Sequence, residues 1–194
     1  MDEIVNEMTS LALSIRDQEN RDLILEKVVI ALARAGEWDK AQEMAGYMKE
    51  PYEKAEGLNE IASQLISQAN FEQSLIILHE AELIATQASE PWRQAELLSR
   101  IAQSLLLAKA PDKADKVWER AISIAQIGES SVDLQGSVDC SSVLAEIAEA
   151  LALGGNTGKA LEVAKAIKSP GKRDRAITAV KKVMDQEDQG SSQC

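Results

Sequence analysis

The residues best equipped for chemistry are few and scattered. Gly154-Gly155-Asn156-Thr157-Gly158-Lys159 has the composition of a phosphate-binding loop. Such a loop needs a glycine five residues before the one that precedes lysine, and a Ser or Thr after the lysine to hold magnesium. Leu153 and Ala160 stand at those two positions, and no strand pattern leads in, so phosphate chemistry is not expected. His79 is the only histidine, so any Ser-His-Asp or Cys-His pair would have to use it. It stands among Leu75, Leu78 and Glu82 in a helical register, where an exposed or half-buried histidine is the plain reading. Glu146 and Glu149 are three apart and share one side of a helix. A solvated face accounts for them unless burial couples them. Cys140 and Cys194 form neither a zinc pattern nor a disulfide framework. No catalytic residue, metal ligand or cofactor is therefore expected, and the chain reads as not an enzyme. Trp38 and Trp118 fall on repeating apolar positions. Trp92, just after Pro91, falls outside them and is the freest of the three to anchor a partner.

The elements that carry these residues are set by one short stretch. Gly36-Glu37-Trp38-Asp39-Lys40-Ala41 reads as a helix stop, a one-residue elbow and a helix start. Glycine ends helices because it enters the left-handed conformation without a Cβ penalty. Trp38 is an apolar plug, Asp39 suits the positive end of the next helix, and Ala41 lets a neighbour approach closely. The same punctuation returns at 69–74, 109–114 and 155–160. With Ala41, Ser74, Ala114 and Ala160 as common origin, Leu32, Leu65, Leu105 and Leu151 stand nine residues earlier. Val28, Ile61, Ile101 and Ile147 stand thirteen earlier, and Leu25, Leu58, Leu98 and Leu144 sixteen earlier. Met44, Ile77, Val117 and Val163 stand three later. Offsets of three and four put these columns on one helical face. The origins are 33, 40 and 46 residues apart, a period that marks stacked helical hairpins.

Ten helices are expected, at 2–17, 20–35, 38–49, 52–68, 71–88, 91–108, 111–127, 138–153, 157–168 and 172–186. They compose an all-α fold, an α-α superhelix in the form of a right-handed solenoid. Leu11 and Ile15 match Met44 and Met48, so 2–17 reads as a lone second helix. Ile177 and Val180 match Leu58 and Ile61, so 172–186 reads as a lone first helix. One domain spans 1–188, with repeat units near 21–50, 53–88, 92–128 and 138–168 and a frayed tail at 189–194. The segment 128–137 reads as a long, flexible connection, with Ser137 or Asp139 starting the helix after it.

Composition bounds the partners. The 45% apolar content argues against disorder, and abundant Ala and Leu with 3% aromatics suit close-packed helices. The net charge of −11 disfavours nucleic acid and anionic membrane, which need a positive footprint. The acidic start of the chain lacks a signal-peptide pattern, no apolar run approaches membrane-spanning length, and a cytoplasmic protein is the default.

Gly-x-Trp-Asp-Lys-Ala resembles the elbow of a tetratricopeptide repeat. Ile61, Ala62 and Leu65 fall on that family's apolar, small and large positions, and Leu78 and Ala81 on its bulky and alanine positions. Ile101, Ala102, Leu105, Trp118 and Ala121 do the same in the third unit. The departures are Leu25, Leu58, Leu98 and Leu144 where the family has tryptophan, Thr157 where it has an elbow aromatic, and a period beyond the usual ~34 residues. The chain is thus similar to a divergent repeat array, of the kind that forms sensor and interaction arms in bacterial signalling proteins.

The resemblance implies a non-catalytic scaffold that binds protein or peptide through the concave surface lined by first helices. The residues it places there are Glu26, Ile30 and Arg34, then Glu56, Asn59, Ser63 and Ser67, then Glu96, Ser99, Gln103 and Leu107, then Ala145, Glu149 and Leu153. Some members clamp a C-terminal carboxylate with Lys and Asn. The matching pairs here are Glu26/Ile30, Asn59/Ser63, Ser99/Gln103 and Ala145/Glu149, so the clamp is absent. An acid-leaning groove with apolar residues at its deeper end (Ile30, Ile66, Leu106, Leu107, Leu153) suits a basic peptide with apolar anchors, the equal alternative being that these glutamates only solubilise the surface. The alternative implied is a structural or oligomerisation arm of a larger bacterial signalling assembly, with self-association as its signature.

Overall fold

Glycine and two non-glycine residues adopt the same left-handed turn at four places in this chain. The computed structural model describes the backbone of residues 2–130 and 134–191. Gly36, Ala69, Lys109 and Gly155, each five residues before a column origin, have φ of +80°, +59°, +61° and +84°. The residue after each donates its N–H back to the leucine column: Glu37 to Leu32 at 2.9 Å, Asn70 to Leu65 at 2.9 Å, Ala110 to Leu105 at 3.0 Å, and Asn156 to Leu151 at 2.8 Å. The left-handed residue itself bonds three residues back, to Ala33, Ile66, Leu106 and Ala152. This pairing is the Schellman arrangement, which satisfies carbonyls that a helix end leaves without donors. The carbonyls of Glu37, Asn70, Ala110 and Asn156 then accept the first bond of the next helix, from Ala41, Ser74, Ala114 and Ala160. One residue therefore closes one helix and opens the next.

Ten helices are present among the described residues, with no strand: α1 Asp2–Ser14, α2 Gln18–Arg34, α3 Trp38–Tyr47, α4 Pro51–Ser67, α5 Phe71–Ala85, α6 Pro91–Leu107, α7 Pro111–Glu129, α8 Leu134–Leu153, α9 Thr157–Ala166 and α10 Pro170–Ser191. The fold is all-α. Two compact units are distinguished, one of Met1–Ser89 with Ser104–Ala114, the other of Glu90–Gln103 with Asp115–Cys194. In the first unit α2 packs on α3, α4 on α5, and the first helices α2 and α4 on each other, with α1 against α2. Leu25, Val28, Leu58, Ile61 and Leu65 fill its core, all buried. Within this unit the Lys109 ammonium lies 4.8 Å from the centre of the Phe71 ring, so the third elbow touches the second. In the second unit α8 packs on α9, and α10 on both. Leu98, Ile101, Leu144, Ile147 and Leu151 are its buried columns, with Trp118 among them.

A second recurrent junction joins one hairpin to the next. Met48 and Ile167 are buried, extended residues that end α3 and α9, each followed by a lysine, one more residue and a proline that starts the next helix. The N–H groups there need acceptors. Asp22, fully buried on α2, takes both Lys49 N–H and Glu50 N–H on Oδ2, each at 2.7 Å. In the fourth repeat Ser141 stands at the Asp22 position, and the carboxylate comes from Glu129 instead. Glu129 Oε1 accepts from Lys168 N–H at 2.8 Å and from the Ser141 hydroxyl. Charge-assisted bonds of this kind are about twice as strong as neutral ones.

Helix ends differ from the sequence expectation by a few residues, α1 and α5 each stopping three residues early at Ser14 and Ala85, and the larger differences lie in two places. The long connection at 128–137 is largely helix: α7 runs through Glu129 and α8 starts at Leu134, ahead of Ser137 and Asp139. Residues 131–133 lie outside the described residues. Gly128 is a close-approach glycine rather than a helix breaker, because a Cβ there would stand 2.5 Å from Cys140 Sγ and 2.9 Å from Pro91 Cβ. The expected frayed tail is helical through Ser191, with 192–194 outside the described residues.

Two stability experiments follow from these backbones. An L-residue in the left-handed region costs about 1–2 kcal/mol, and glycine adds about 0.4–1 kcal/mol of unfolded-chain entropy. Ala69→Gly is therefore expected to stabilise by roughly 0.5–1 kcal/mol in urea titration. Lys109→Gly gains less, because it also gives up a cation–π contact worth about 0.5–1 kcal/mol. Equal gains at the two sites would mean that the Phe71 contact carries no energy.

Glycine-to-alanine changes inside helices should split in sign. Gly46 has open space around its Cβ direction, so Gly46→Ala is expected to raise stability by about 0.5–1 kcal/mol. At Gly128 the overpacking cost of about 1–3 kcal/mol outweighs that gain, so Gly128→Ala is expected to lower the urea midpoint.

Candidate binding surface

The residues expected to line a groove are distributed over both units. In the first unit α2 supplies Glu26, Ile30 and Arg34, and α4 supplies Glu56, Asn59, Ser63 and Ser67. Glu26 is buried, with its carboxylate 3.0 Å from the Lys27 ammonium. Ile30, Glu56, Asn59 and Ser63 are half-buried, while Arg34 and Ser67 are exposed. Much of the polar capacity is engaged within the unit. Arg34 Nε faces Glu60 at 3.3 Å, the Ser63 hydroxyl donates to the Asn59 carbonyl at 2.9 Å, and Asn59 Oδ1 accepts from the Ser104 hydroxyl at 2.8 Å. Leu107, also in this unit, is exposed.

In the second unit Glu96 is half-buried, Ser99 is buried, Gln103 and Glu149 are exposed, and Ala145 is half-buried. Leu153 is exposed. Glu26 and Ser99, expected on an open face, are buried, while Asn59 and Ala145, at the same position of their repeats, are half-buried. What the second unit brings together is a cleft of about 220 Å³, lined by Trp92 and Glu96 of α6 and by Asp139, Ser142, Val143 and Glu146 of α8. Asp139, Ser142 and Val143 were not singled out for binding from the sequence. Their convergence depends on the approach of α6 and α8, which no local pattern encodes.

The cleft is acidic but not uniformly so. Glu96 holds Arg100 at 2.7 Å, one turn along α6. The Arg93 guanidinium lies 5.3 Å from the centre of the Trp92 ring. The Lys172 ammonium donates to the Ser142 hydroxyl from α10. Glu146 is exposed on α8, yet the packing over part of its carboxyl raises its pKa, and Glu96 raises it further; Arg100 and Lys172 pull it back, and Glu149 pushes up. A carboxylate with a raised pKa in a cleft is a place where a cation from a partner gains more than on open surface.

The other reactive candidates are placed plainly. His79 projects from α5 into solvent, with Nδ1 3.9 Å from Glu82. Cys140 is a buried free thiol whose pKa is raised by burial, then by Asp139 and Glu129, which disfavours thiolate chemistry. Gly155 and Asn156 form an elbow, and the Asn156 side chain caps Lys159 N–H at 3.4 Å. Among the described residues no group of three His, Cys, Asp or Glu stands close enough to hold a metal ion, and no described helix is long and apolar enough to cross a membrane.

Comparison with models of known protein families gives no match, and comparison with curated proteins gives none. Among solved structures, the chain is similar to Ton1535 from Thermococcus onnurineus NA1, with a TM-score of 0.58 and 20% sequence identity. The likeness covers 94% of this chain and 56% of that one, so the chain spans just over half of Ton1535. At this identity it shows shared fold alone.

The raised Glu146 pKa gives a sign for pH dependence. Folding binds the Glu146 proton more tightly than the unfolded chain does, so this group's contribution is fully present below the ordinary glutamate pKa. It is lost as pH rises through the higher folded value. Glu146→Gln is therefore expected to be more stable than the parent at neutral pH and to lose that advantage in acid. Urea midpoints measured across pH check this; an advantage that grows toward acid would contradict the assigned direction.

Proposed function

We propose that this chain is a divergent tetratricopeptide-like repeat that serves as a non-catalytic interaction scaffold, taking a basic peptide segment with an apolar anchor. The observation that carries this reading is the α6–α8 cleft, where Trp92 offers an apolar and aromatic surface beside Glu96, Asp139 and Glu146. A lysine or arginine entering it competes with Arg100 for Glu96 and relieves the like-charge pressure on Glu146. The α2–α4 face of the first unit supports the same reading more weakly, since Glu56, Ile30 and Arg34 line it while Glu26 is closed off. A cytoplasmic setting goes with this proposal, and the buried free thiol of Cys140 suits a reducing compartment.

Exposed charges act mainly on encounter, and buried anchors on residence. A partner captured from native lysate and identified as a basic segment can be measured by surface plasmon resonance at two salt concentrations. Glu96→Lys with Glu146→Lys is expected to slow association about tenfold at low salt and to flatten its salt dependence. Trp92→Ala is expected to speed dissociation by about tenfold or more, with association little changed. Unchanged kinetics in both variants would move the binding surface away from this cleft.

A further inference from the structure

The second helices of the four repeats turn the same positions outward. Two, five, six and nine residues after the column origin stand Lys116, Glu119, Arg120 and Ser123 on α7, all exposed. On the shorter α3 and α9 the first three of these positions hold Glu43, Gly46 and Tyr47, then Glu162, Lys165 and Ala166, again exposed. On α5 the four are Ile76, His79, Glu80 and Leu83. Ile76 is 65% exposed and Leu83 54% exposed. Where α3, α7 and α9 carry a charge two residues after the origin, α5 carries a bare isoleucine. α5 lies well inside the sequence and packs on α4 along its other side, so its outward face is a solvent face of an internal helix.

The order of these four residues is self-complementary. At 3.6 residues per turn they share one stripe, spanning about 100° of the helix. Ile76 and Leu83 lie equally far from the midpoint between His79 and Glu80. Two such stripes laid antiparallel about a two-fold axis at that midpoint put Ile76 of each on Leu83 of the other. The same axis puts His79 of each beside Glu80 of the other, so that an imidazole N–H donates to a carboxylate. Glu72, one turn outside Ile76, falls opposite position 87, a glutamine, so no like charges of the stripe face each other. Glu82 lies off the stripe, half-buried, 3.9 Å from His79 Nδ1 of its own chain. Parallel pairing in register would instead set Glu80 on Glu80 and His79 on His79.

We propose that the outward face of α5 is a dimerisation surface, on which two copies of this chain pair antiparallel through Ile76, His79, Glu80 and Leu83. The contact is isologous, because the same patch meets itself, so assembly closes at two chains. Ile76 also borders a furrow of about 380 Å³ between α3 and α5, lined by Gln42, Gln73 and Ile77 among others, which receives the Leu83 side chain of the second copy. Symmetry makes every contact occur twice, so one substitution removes two. One helix from each copy buries less than the roughly 1,200–2,000 Å² of a stable interface. The dimer is therefore weak and forms with rising concentration.

Sedimentation of the full chain over a dilution series tests this, in about 0.15 M salt, where repulsion between two chains of net charge −11 is screened beyond roughly 8 Å. The apparent mass is expected to rise from one chain to two and no further. Leu83→Lys sets an unpaired ammonium against Ile76 at two places, so it is expected to move the transition at least about tenfold higher in concentration, although it reduces the net charge. If Leu83→Lys loses helicity by circular dichroism, Ile76→Lys, at the more exposed position, replaces it with the same expected result. Cross-linking tests the register. In a Cys194→Ser background, with the buried Cys140 left in place, Ile76→Cys and Leu83→Cys chains mixed under air are expected to join by a disulfide. Neither is expected to link to itself, because like positions of an antiparallel pair lie two turns apart, about 10 Å, beyond the reach of a disulfide. A parent chain that stays at one-chain mass throughout overturns the proposal. So does undiminished self-association of the lysine variant, or either cysteine variant linking to itself as fast as the mixture links.

Discussion

The structure depends on reversing the chain within a single residue without leaving helix-end carbonyls bare. A left-handed residue and a bond from the next N–H to a leucine carbonyl meet that requirement at all four elbows. The accepting leucines, Leu32, Leu65, Leu105 and Leu151, are also buried core columns. Backbone satisfaction and side-chain packing are thus tied to the same residue. That coupling sets the helical phase on both sides of the turn, so apolar columns on the two helices of a hairpin arrive in register. It also explains why Ala69 and Lys109 tolerate a conformation that costs about 1–2 kcal/mol for an L-residue. The bonds and the buried leucine beside them cannot be kept in any other backbone state.

Freedom appears between hairpins rather than within them. The short second helices α3 and α9 end in extended residues whose following N–H groups need an acceptor, and a buried carboxylate supplies it both times. The carboxylate comes from Asp22 on the first helix in one case. In the other it comes from Glu129 at the end of α7, steadied by Ser141. What is constrained is an acceptor at a point in space, and either helix can provide it. The longer α5 and α7 continue past this point, and alanine (Ala55, Ala95) stands at the Asp22 position in their repeats. A carboxylate buried there without N–H partners would cost more than it returned.

The charge of the chain is spread as local pairs, such as Arg34 with Glu60, Lys40 with Glu37 and Lys159 with Glu119. Exposed pairs of this sort contribute little to stability. They matter by contrast with the α6–α8 cleft, where Glu96 and Glu146 approach each other and the Glu146 pKa rises. On the proposed reading, an incoming cation would meet three carboxylates gathered in one cleft.

Sequence alone determined that there are ten helices, where the four elbows fall and which residues form the repeat columns, but not where α7, α8 and α10 begin and end. Those features are written in local periodicity and in punctuation such as Gly36 and Gly155, and the column residues of the four repeats are buried where the register requires. Tertiary structure decided whatever depends on the approach of separate helices. Gly128 looks like a breaker in one dimension and is a contact point in three, because Cys140 and Pro91 crowd its missing Cβ. Glu26 and Ser99 look available along the chain and are buried in the fold. Asp22 is an unremarkable acid near a helix start until the Lys49–Glu50 backbone is folded against it. The cleft at Trp92 is likewise invisible in the pattern, since its acids come from α6 and α8 and only packing places them side by side. Periodicity encodes which face of a helix is buried; it carries no record of which other helix buries it, or how closely.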